Sequence, residues 1–291
     1  MASLRDIRKR IKSVKSSQKI TKAMKLVAAS KLKRAQDAIV QARPYAQEIA
    51  TVLSRVAAQV GASGTGEVHP LLASREPRKV LLLVITSDRG LCGAFNANVL
   101  RRADRFIREN TGRFEHVEVA AVGRKGREFF AKKGSVPVRD LGVVGSAWSY
   151  AQAVSVASAL SAEFTAGSLD AVFVVYNEFK SAISQRVVVQ DLLPVVQADL
   201  PESALTEYVY EPSAEQVLDR LVPRYVATGL WRALLESAAS EHGARMSAMD
   251  SATKNASELI AGLTLVYNRV RQAAITRELM EIIGGAEALK G

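Results

Sequence analysis

Two long hydrophobic seams, one at each end of the chain, constrain this sequence more than any other feature. Stepping alternately by three and four residues from Leu4 meets Ile7, Ile11, Val14, Gln18, Thr21, Lys25, Ala28, Leu32 and Ala35. The same steps continue through Ile39, Ala42, Ala46, Ile49, Leu53, Val56 and Val60, and fourteen of the seventeen positions are apolar. A repeat near 3.5 residues held over about eight heptads is a coiled-coil seam with left-handed supercoiling. At 1.5 Å per residue such a helix is roughly 85 Å long. Pro44 predicts a kink within it, and Gly61, Gly64 and Gly66 predict its end. The C-terminal part repeats the rhythm through Leu218, Leu221, Tyr225, Leu235, Ala239, Met246, Met249, Ala256, Ile260, Leu263, Tyr267, Val270 and Ala274. A helix over 213–283 reaches roughly 105 Å, with interruptions expected at Pro223 and Gly229. Two such helices flanking a compact region pair most simply with each other, antiparallel.

Between the seams the period changes. Short apolar runs at 79–86, 117–122 and 169–176 have strand length, and helical stretches near 94–109, 124–133 and 147–165 separate them. That alternation predicts a mostly parallel, helix-covered sheet, with further strands near an edge at 185–193 and 207–210. The expected fold class is therefore α/β plus coiled coil. The expected divisions are an N-terminal coiled-coil helix at 1–60, a linker at 61–77, a Rossmann-like α/β domain at 78–210 and a C-terminal coiled-coil helix at 211–291.

Charge is informative through its location. The first 34 residues carry twelve of the forty Lys and Arg but one of the twenty-nine acids, Asp6, so the whole formal excess of +11 sits there. A block of this kind seeks a polyanion: nucleic acid, an anionic membrane face or an acidic protein surface. No aromatic residue precedes Tyr45, so a stacking platform for single-stranded nucleic acid is absent. Cys92 is the one cysteine, which excludes an intrachain disulfide and a cysteine-rich metal site and fits a reducing compartment. No apolar run approaches a bilayer span, and the start MASLRDIRKR lacks the apolar stretch of a secretory signal.

Three segments invite a chemical reading. TSDRGLCGAFN at 86–96 is a polar, glycine-containing passage from strand to helix, where many α/β proteins bind phosphate. It has no Walker A pattern and no Lys-Ser/Thr pair, so a tight turn with a capped helix start is the simpler reading. Val122-Gly123-Arg124-Lys125-Gly126 is half a dinucleotide fingerprint without its first Gly-x-Gly. His69, His116 and His242 show no metal-ligand spacing, and none is adjacent to Cys92 in sequence. The Glu278/Glu281 pair beside Arg277 suits surface ion pairing. No catalytic constellation and no cofactor site emerges; the pattern is that of a mechanical or binding component.

Both ends and the central turn nevertheless carry a resemblance. IRKRIKSVKSSQKITKAMKLVAASKLKRAQ at 7–36 resembles the N-terminal helix of F-type ATP synthase gamma subunits, and ARMSAMDSATKNASELIAGLTLVYNRVRQAAITRELMEIIGGA at 244–286 resembles their C-terminal helix. TSDRGLCGAFN is similar to the family's central turn, and the three blocks stand in the family's order. The resemblance implies a non-catalytic rotor shaft that turns inside a ring of alpha and beta subunits and couples proton translocation by a membrane c-ring to ATP synthesis or hydrolysis on beta. It further implies an epsilon-subunit neighbour, a peripheral place at the cytoplasmic face of a bacterial inner membrane through the c-ring, and no nucleic-acid partner. The basic block (Lys9, Arg10, Lys12, Lys15, Lys22, Lys25) then slides past an acidic lever segment on beta. By resemblance, Met24, Lys25, Leu91, Cys92 and Arg245 are lever contacts; Arg271, Gln272 and Thr276 meet a beta catch loop; Tyr208 and Glu211 form a foot on the c-ring. The redox cysteine pair of plant chloroplast members is missing here. The residues taken alone leave two alternatives, a basic coiled-coil nucleic-acid binder and a nucleotide-binding α/β enzyme.

Overall fold

The computed structural model describes residues 3–63, 69–142, 148–196, 210–211 and 213–288. Helix α1 spans Leu4–Ser63, followed by a short 3-10 turn at Pro70–Leu72. The middle of the chain runs β1 (Lys79–Ile85), α2 (Phe95–Glu109), β2 (His116–Val122), α3 (Arg124–Lys133), β3 (Val138–Asp140), α4 (Tyr150–Thr165), β4 (Ala171–Phe179) and β5 (Gln185–Leu193). Helix α5, Ala214–Ala288, completes it. This is the α/β plus coiled-coil class that periodicity predicts. The residues pack as two units, one holding the chain up to Ala28 together with the chain from Met246 onward, the other holding Ala29–Arg245.

In the first unit the N-terminal turns of α1 and the C-terminal turns of α5 run antiparallel. Arg8 donates to the Tyr267 hydroxyl at 2.6 Å, Gln18 to Ser257 Oγ at 2.7 Å, and Lys25 Nζ to Asp250 Oδ1 at 2.6 Å. The Thr21 and Thr253 hydroxyls share a hydrogen bond of 2.8 Å. As one number rises the other falls by the same amount to within one residue, which defines one fixed register. Gln18, Thr21 and Lys25 are the three polar positions of the N-terminal seam, and each meets a polar residue across it. The exceptions to the hydrophobic rule are thus a cross-linked polar layer; such layers specify register in paired helices. Ile7 and Ala28 are buried at either end of this stretch.

In the second unit the sheet order is β3-β2-β1-β4-β5, with β1, β2, β3 and β4 parallel and β5 antiparallel to β4 at the edge. Strand β1 is central and covered on both faces, hence its unbroken apolar run; every residue from Val80 to Ile85 is buried. One face packs on α4, the later turns of α1 (Leu53, Val56, Val60) and the early turns of α5 (Leu218, Val222, Val226, Leu230). The other packs Leu82, Val84 and Val119 under α2 and α3 through Val99, Ala103 and Phe130. Strand β3, three residues long, has no apolar run to announce it. Arg139 fixes it instead, donating to both carboxylate oxygens of Glu118 on β2 and of Glu163 on α4.

Helix α1 ends at Ser63, inside the glycine-marked stretch that begins at Gly61. The interruptions expected in the last helix do not occur: α5 is continuous through Pro223 and Gly229. Proline sacrifices one helical hydrogen bond, but Val222 and Val226 beside it are completely buried, and that packing outweighs the loss. At Gly229 an added Cβ would lie 3.7 Å from Leu192 Cδ1, ordinary contact distance, so the helix passes closely over β5 there. At Gly243 the approach is tighter: a Cβ would stand 2.9 Å from the Ala182 carbonyl oxygen, so the β4–β5 hairpin tip sits directly on α5. Ser240 Oγ donates to the Asn177 carbonyl at 3.1 Å beside it. Of the strand expected at 207–210 only Tyr210 lies within the described residues, and it is not in a strand.

Candidate functional site

The passage at 86–96 is built by polar side chains that satisfy one another. Ser87 N–H donates to Asn96 Oδ1 at 3.0 Å, Asn96 Nδ2 to Ser87 Oγ at 2.8 Å, and Ser87 Oγ to the Arg89 carbonyl at 2.6 Å. Cys92 is buried beside them, its sulfur 3.3 Å from Asn96 Nδ2. This is a packed thiol inside a hydrogen-bonded turn, without a histidine partner among its contacts.

The half-fingerprint at 122–126 has a different purpose from phosphate binding. Gly123 has φ +94, and a Cβ there would meet the Thr86 carbonyl oxygen at 2.2 Å. Gly126 N–H donates to Thr86 Oγ1 at 2.8 Å. Both glycines therefore serve the close approach of α3 to the end of β1. The first turn of α3, where an anion would bind, is occupied by the protein's own carboxylate: Asp88 Oδ1 accepts from Arg124 N–H at 2.9 Å. Among the described residues no cluster of three or more His, Cys, Asp or Glu could hold a metal ion, and no helix is long and apolar enough to cross a membrane.

What the turn does present is Leu91. It is the one described non-glycine residue with positive φ, +62, and 63% of its surface is exposed. A left-handed leucine is strained by roughly 1 kcal/mol, and its exposed side chain recovers little of that within this chain. The turn is held from behind by Arg245 of α5. That side chain is only 13% exposed; it pairs with Glu241 at 2.6 Å (14% exposed) and donates to the carbonyls of Arg89 and Gly90 at 3.4 Å each. Burial pushes the Glu241 carboxyl up against the opposing pull of Arg245, and it pushes His242 down to about 4, leaving that ring neutral. Leu91, Cys92 and Arg245 are thus brought together in the second unit. Leu91 faces outward, Cys92 is packed inside, and Arg245 is a strut.

The remaining candidates occupy other places. Met24 is half-buried on α1. Lys25 is tied across the helix pair to Asp250, whose carboxyl is held below the usual range by the Lys25 hydrogen bond and then by Lys254. Eleven of the twelve basic residues of the first 34 are exposed, so the block is a surface field and not part of the seam. Arg271, Gln272 and Thr276 are exposed on α5, with Gln272 and Thr276 one turn apart on the same side. Glu211 is exposed, and Tyr208 lies outside the described residues.

Sequence reasoning missed Asp250, Glu241 and Asp88, the three carboxylates that fix Lys25, Arg245 and the start of α3. Spacing hinted at one of them, since Glu241 and Arg245 stand at i, i+4. It also missed an apolar surface. Among the described residues, eleven of the nineteen exposed large hydrophobics belong to the first unit, among them Ile20, Leu26 and Val27 on α1 and Ile275, Leu279, Ile282 and Ile283 on α5. The register places α5 residue 271 opposite Leu4, so the turns after it overhang the start of α1. Apolar surface concentrated this way marks a place for partners.

The family model described as ATP synthase matches residues 3–289 of the chain. A protein from Anaeromyxobacter sp. (strain Fw109-5), named ATP synthase gamma chain, is 56% identical over 291 residues, covering all of both chains. One of the same name from Geobacter metallireducens is 51% identical over 292 residues, again covering both completely. Among solved structures, the central stalk and c-ring of Tetrahymena thermophila mitochondrial ATP synthase contains a chain 29% identical, with TM-score 0.59, covering 80% of this chain and 99% of that one. A chain of the Euglena gracilis mitochondrial enzyme, 20% identical, shares the fold at TM-score 0.67 over 98% of this chain and 94% of its own.

Proposed function

The chain belongs to the ATP synthase gamma chain family, and on that premise we propose that it is the non-catalytic rotor shaft of a proton-translocating ATP synthase. The observation that supports this most directly is the antiparallel helix pair pinned in one register by polar cross-links, with a large apolar surface left outward. A shaft biases each catalytic site only through contacts that differ between that site's states, so it needs a stiff body and an outward surface for partners. The pair supplies the first, and the exposed leucines and isoleucines beside a basic field supply the second.

In this reading the paired ends stand within a ring of alpha and beta subunits, and the catalytic groups reside on beta. The basic residues of α1, with Met24, glide past an acidic lever on beta; exposed lysines held by weak, screened contacts suit a surface that releases at each step. Lys25 serves there through the face it leaves open beside Asp250. Leu91 projects from the 86–96 turn toward the same segment, Cys92 packs the turn, and Arg245 positions it. Arg271, Gln272 and Thr276 form the polar catch for beta. Tyr208 and Glu211 rest on the c-ring, epsilon lies alongside, and the assembly sits at the cytoplasmic face of a bacterial inner membrane. The working divisions are 1–60 and 211–291 for the shaft, 61–77 as connection, and 78–210 as the α/β body.

Reconstitution tests the reading. The purified chain is mixed with cognate alpha and beta subunits, the mass of the product is measured, and ATP hydrolysis is assayed with each component omitted in turn. A single large complex, active only with this chain present while the chain alone is inactive, is the expected result. No complex with cognate partners, or hydrolysis by this chain alone, overturns it.

A further inference from the structure

Within the second unit, α1 and α5 leave a slot of about 240 Å³ between them. Its α1 wall is a ridge of Ala42, Ala46 and Ala50, one helical turn apart; its α5 wall is Trp231 and Leu235. Small side chains alone would make only a packing gap. Two buried polar groups on α5 also line it. Thr228 is 5% exposed, and its Oγ1 has no hydrogen-bond partner in the protein. The Glu236 side chain is 9% exposed; Oε1 accepts from Arg232 at 2.8 Å, and Oε2 has no partner.

These groups differ in what they demand. A threonine hydroxyl in a helix can turn to the carbonyl four residues back, so Thr228 has a remedy of its own. A carboxylate accepts only, and leaving one of its oxygens buried without a donor is costly. Arg232 has already balanced the charge of Glu236, so a cation is not required, and Arg43 and Arg232 at the rim oppose one. An anion would face the carboxylate. What fits is an uncharged molecule with an apolar body and one O–H donor, and a flat ring suits the space between an alanine ridge and an indole.

We propose that this slot is a binding site for a small neutral aromatic alcohol, which donates its hydroxyl to Glu236 Oε2 and lays its ring between Ala42/Ala46 and Trp231. The hydrogen bond is charge-assisted and made to a side chain that is 9% exposed, so it contributes much of the selectivity.

The test uses the full-length chain with methyl-labelled alanines, titrated with phenol, anisole, benzoate and benzylammonium while the alanine methyl resonances are followed by NMR. Phenol should give saturable shifts centred on Ala42, Ala46 and Ala50. Anisole, which keeps the ring but lacks the donor, should bind at least about tenfold more weakly, as expected for one charge-assisted hydrogen bond, and both ions should be weaker than phenol. Thr228→Val should leave phenol affinity within about twofold, and Ala46→Leu, which fills the slot, should abolish the shifts. Shifts centred on other alanines, equal binding of phenol and anisole, tighter binding of either ion, or undiminished binding by a folded Ala46→Leu chain would each overturn the proposal. If Ala46→Leu does not fold, the phenol-to-anisole ratio on the unaltered chain decides.

Discussion

Replacing Arg245 with alanine separates a strut from a partner contact. The Arg245–Glu241 pair is 2.6 Å long with both side chains about seven-eighths buried. Removing one member of a buried pair typically costs about 3–5 kcal/mol, because the other charge is left unpaired. Here the cost depends on pH. The Glu241 carboxyl is already raised by burial and by Asp88, and lowered by Arg245 and Lys31; without Arg245 it rises further. A carboxyl whose folded pKa exceeds its unfolded value is protonated more in the folded chain over the interval between them, so stability falls as pH rises through that interval. Arg245→Ala should therefore cost about 3 kcal/mol at pH 8 and progressively less toward pH 5. At about 2–4 °C per kcal/mol for a unit of this size, the pH 8 midpoint should drop by about 6–12 °C. Both tryptophans, Trp148 and Trp231, lie between Ala29 and Arg245, so their fluorescence during thermal unfolding reports this unit. Adding Glu241→Gln should restore at least about 1 kcal/mol by removing the stranded charge. A melting point for Arg245→Ala within about 1 °C of wild type at both pH values, or a double variant no better than the single, would refute the strut and leave Arg245 as a surface contact.

Three further outcomes follow from named contacts. Gly123→Ala should destabilise the chain by about 3 kcal/mol or more, because its Cβ collides with the Thr86 carbonyl at a left-handed φ; thermal unfolding measures this. Leu91→Gly should leave the isolated chain as stable or up to about 1 kcal/mol more stable through relief of a left-handed leucine, while lowering ATP hydrolysis in the reconstituted complex; unchanged turnover would remove Leu91 from the partner surface. The double variant Arg271→Ala/Gln272→Ala, both positions exposed, should unfold within about 0.5 kcal/mol of wild type yet reduce turnover or coupling, and wild-type turnover and coupling would dismiss the polar catch.

Much of this architecture was legible because burial repeats with the period of the backbone. All seventeen positions of the N-terminal seam are buried or half-buried, Lys25 included, since the 3.5-residue repeat fixes which side of a helix faces its partner whatever the residue. Strands β1, β2 and β4 announced themselves as apolar runs because a central parallel strand is covered on both faces. What stayed hidden depends on tertiary contact. Strand β3 rests on one arginine and two distant carboxylates, and Pro223 sits in an intact helix because its neighbours are buried. Of the candidate residues, the two ends of the chain were readable as surfaces, but the inward role of Arg245 was not. An arginine on a helix looks the same in sequence whether it reaches a partner or the carbonyls of a turn some 155 residues away.

The three polar rungs at Gln18–Ser257, Thr21–Thr253 and Lys25–Asp250 also govern how the helix pair answers shear. A purely greasy seam is nearly periodic, so one helix can slide along the other by a heptad, about 10.5 Å, and find an almost equivalent fit. With the rungs in place, such a slide that brings Lys25 opposite Ser257 and Thr21 opposite Ile260 strips the lysine of its acid and sets a hydroxyl against an isoleucine side chain. The rungs fill consecutive seam positions and are not scattered, so the resistance is local, like a short spline cut into an otherwise smooth rod. With the Arg8–Tyr267 hydrogen bond as a second fixing point nearer the chain ends, axial creep between the two helices of this unit is stopped.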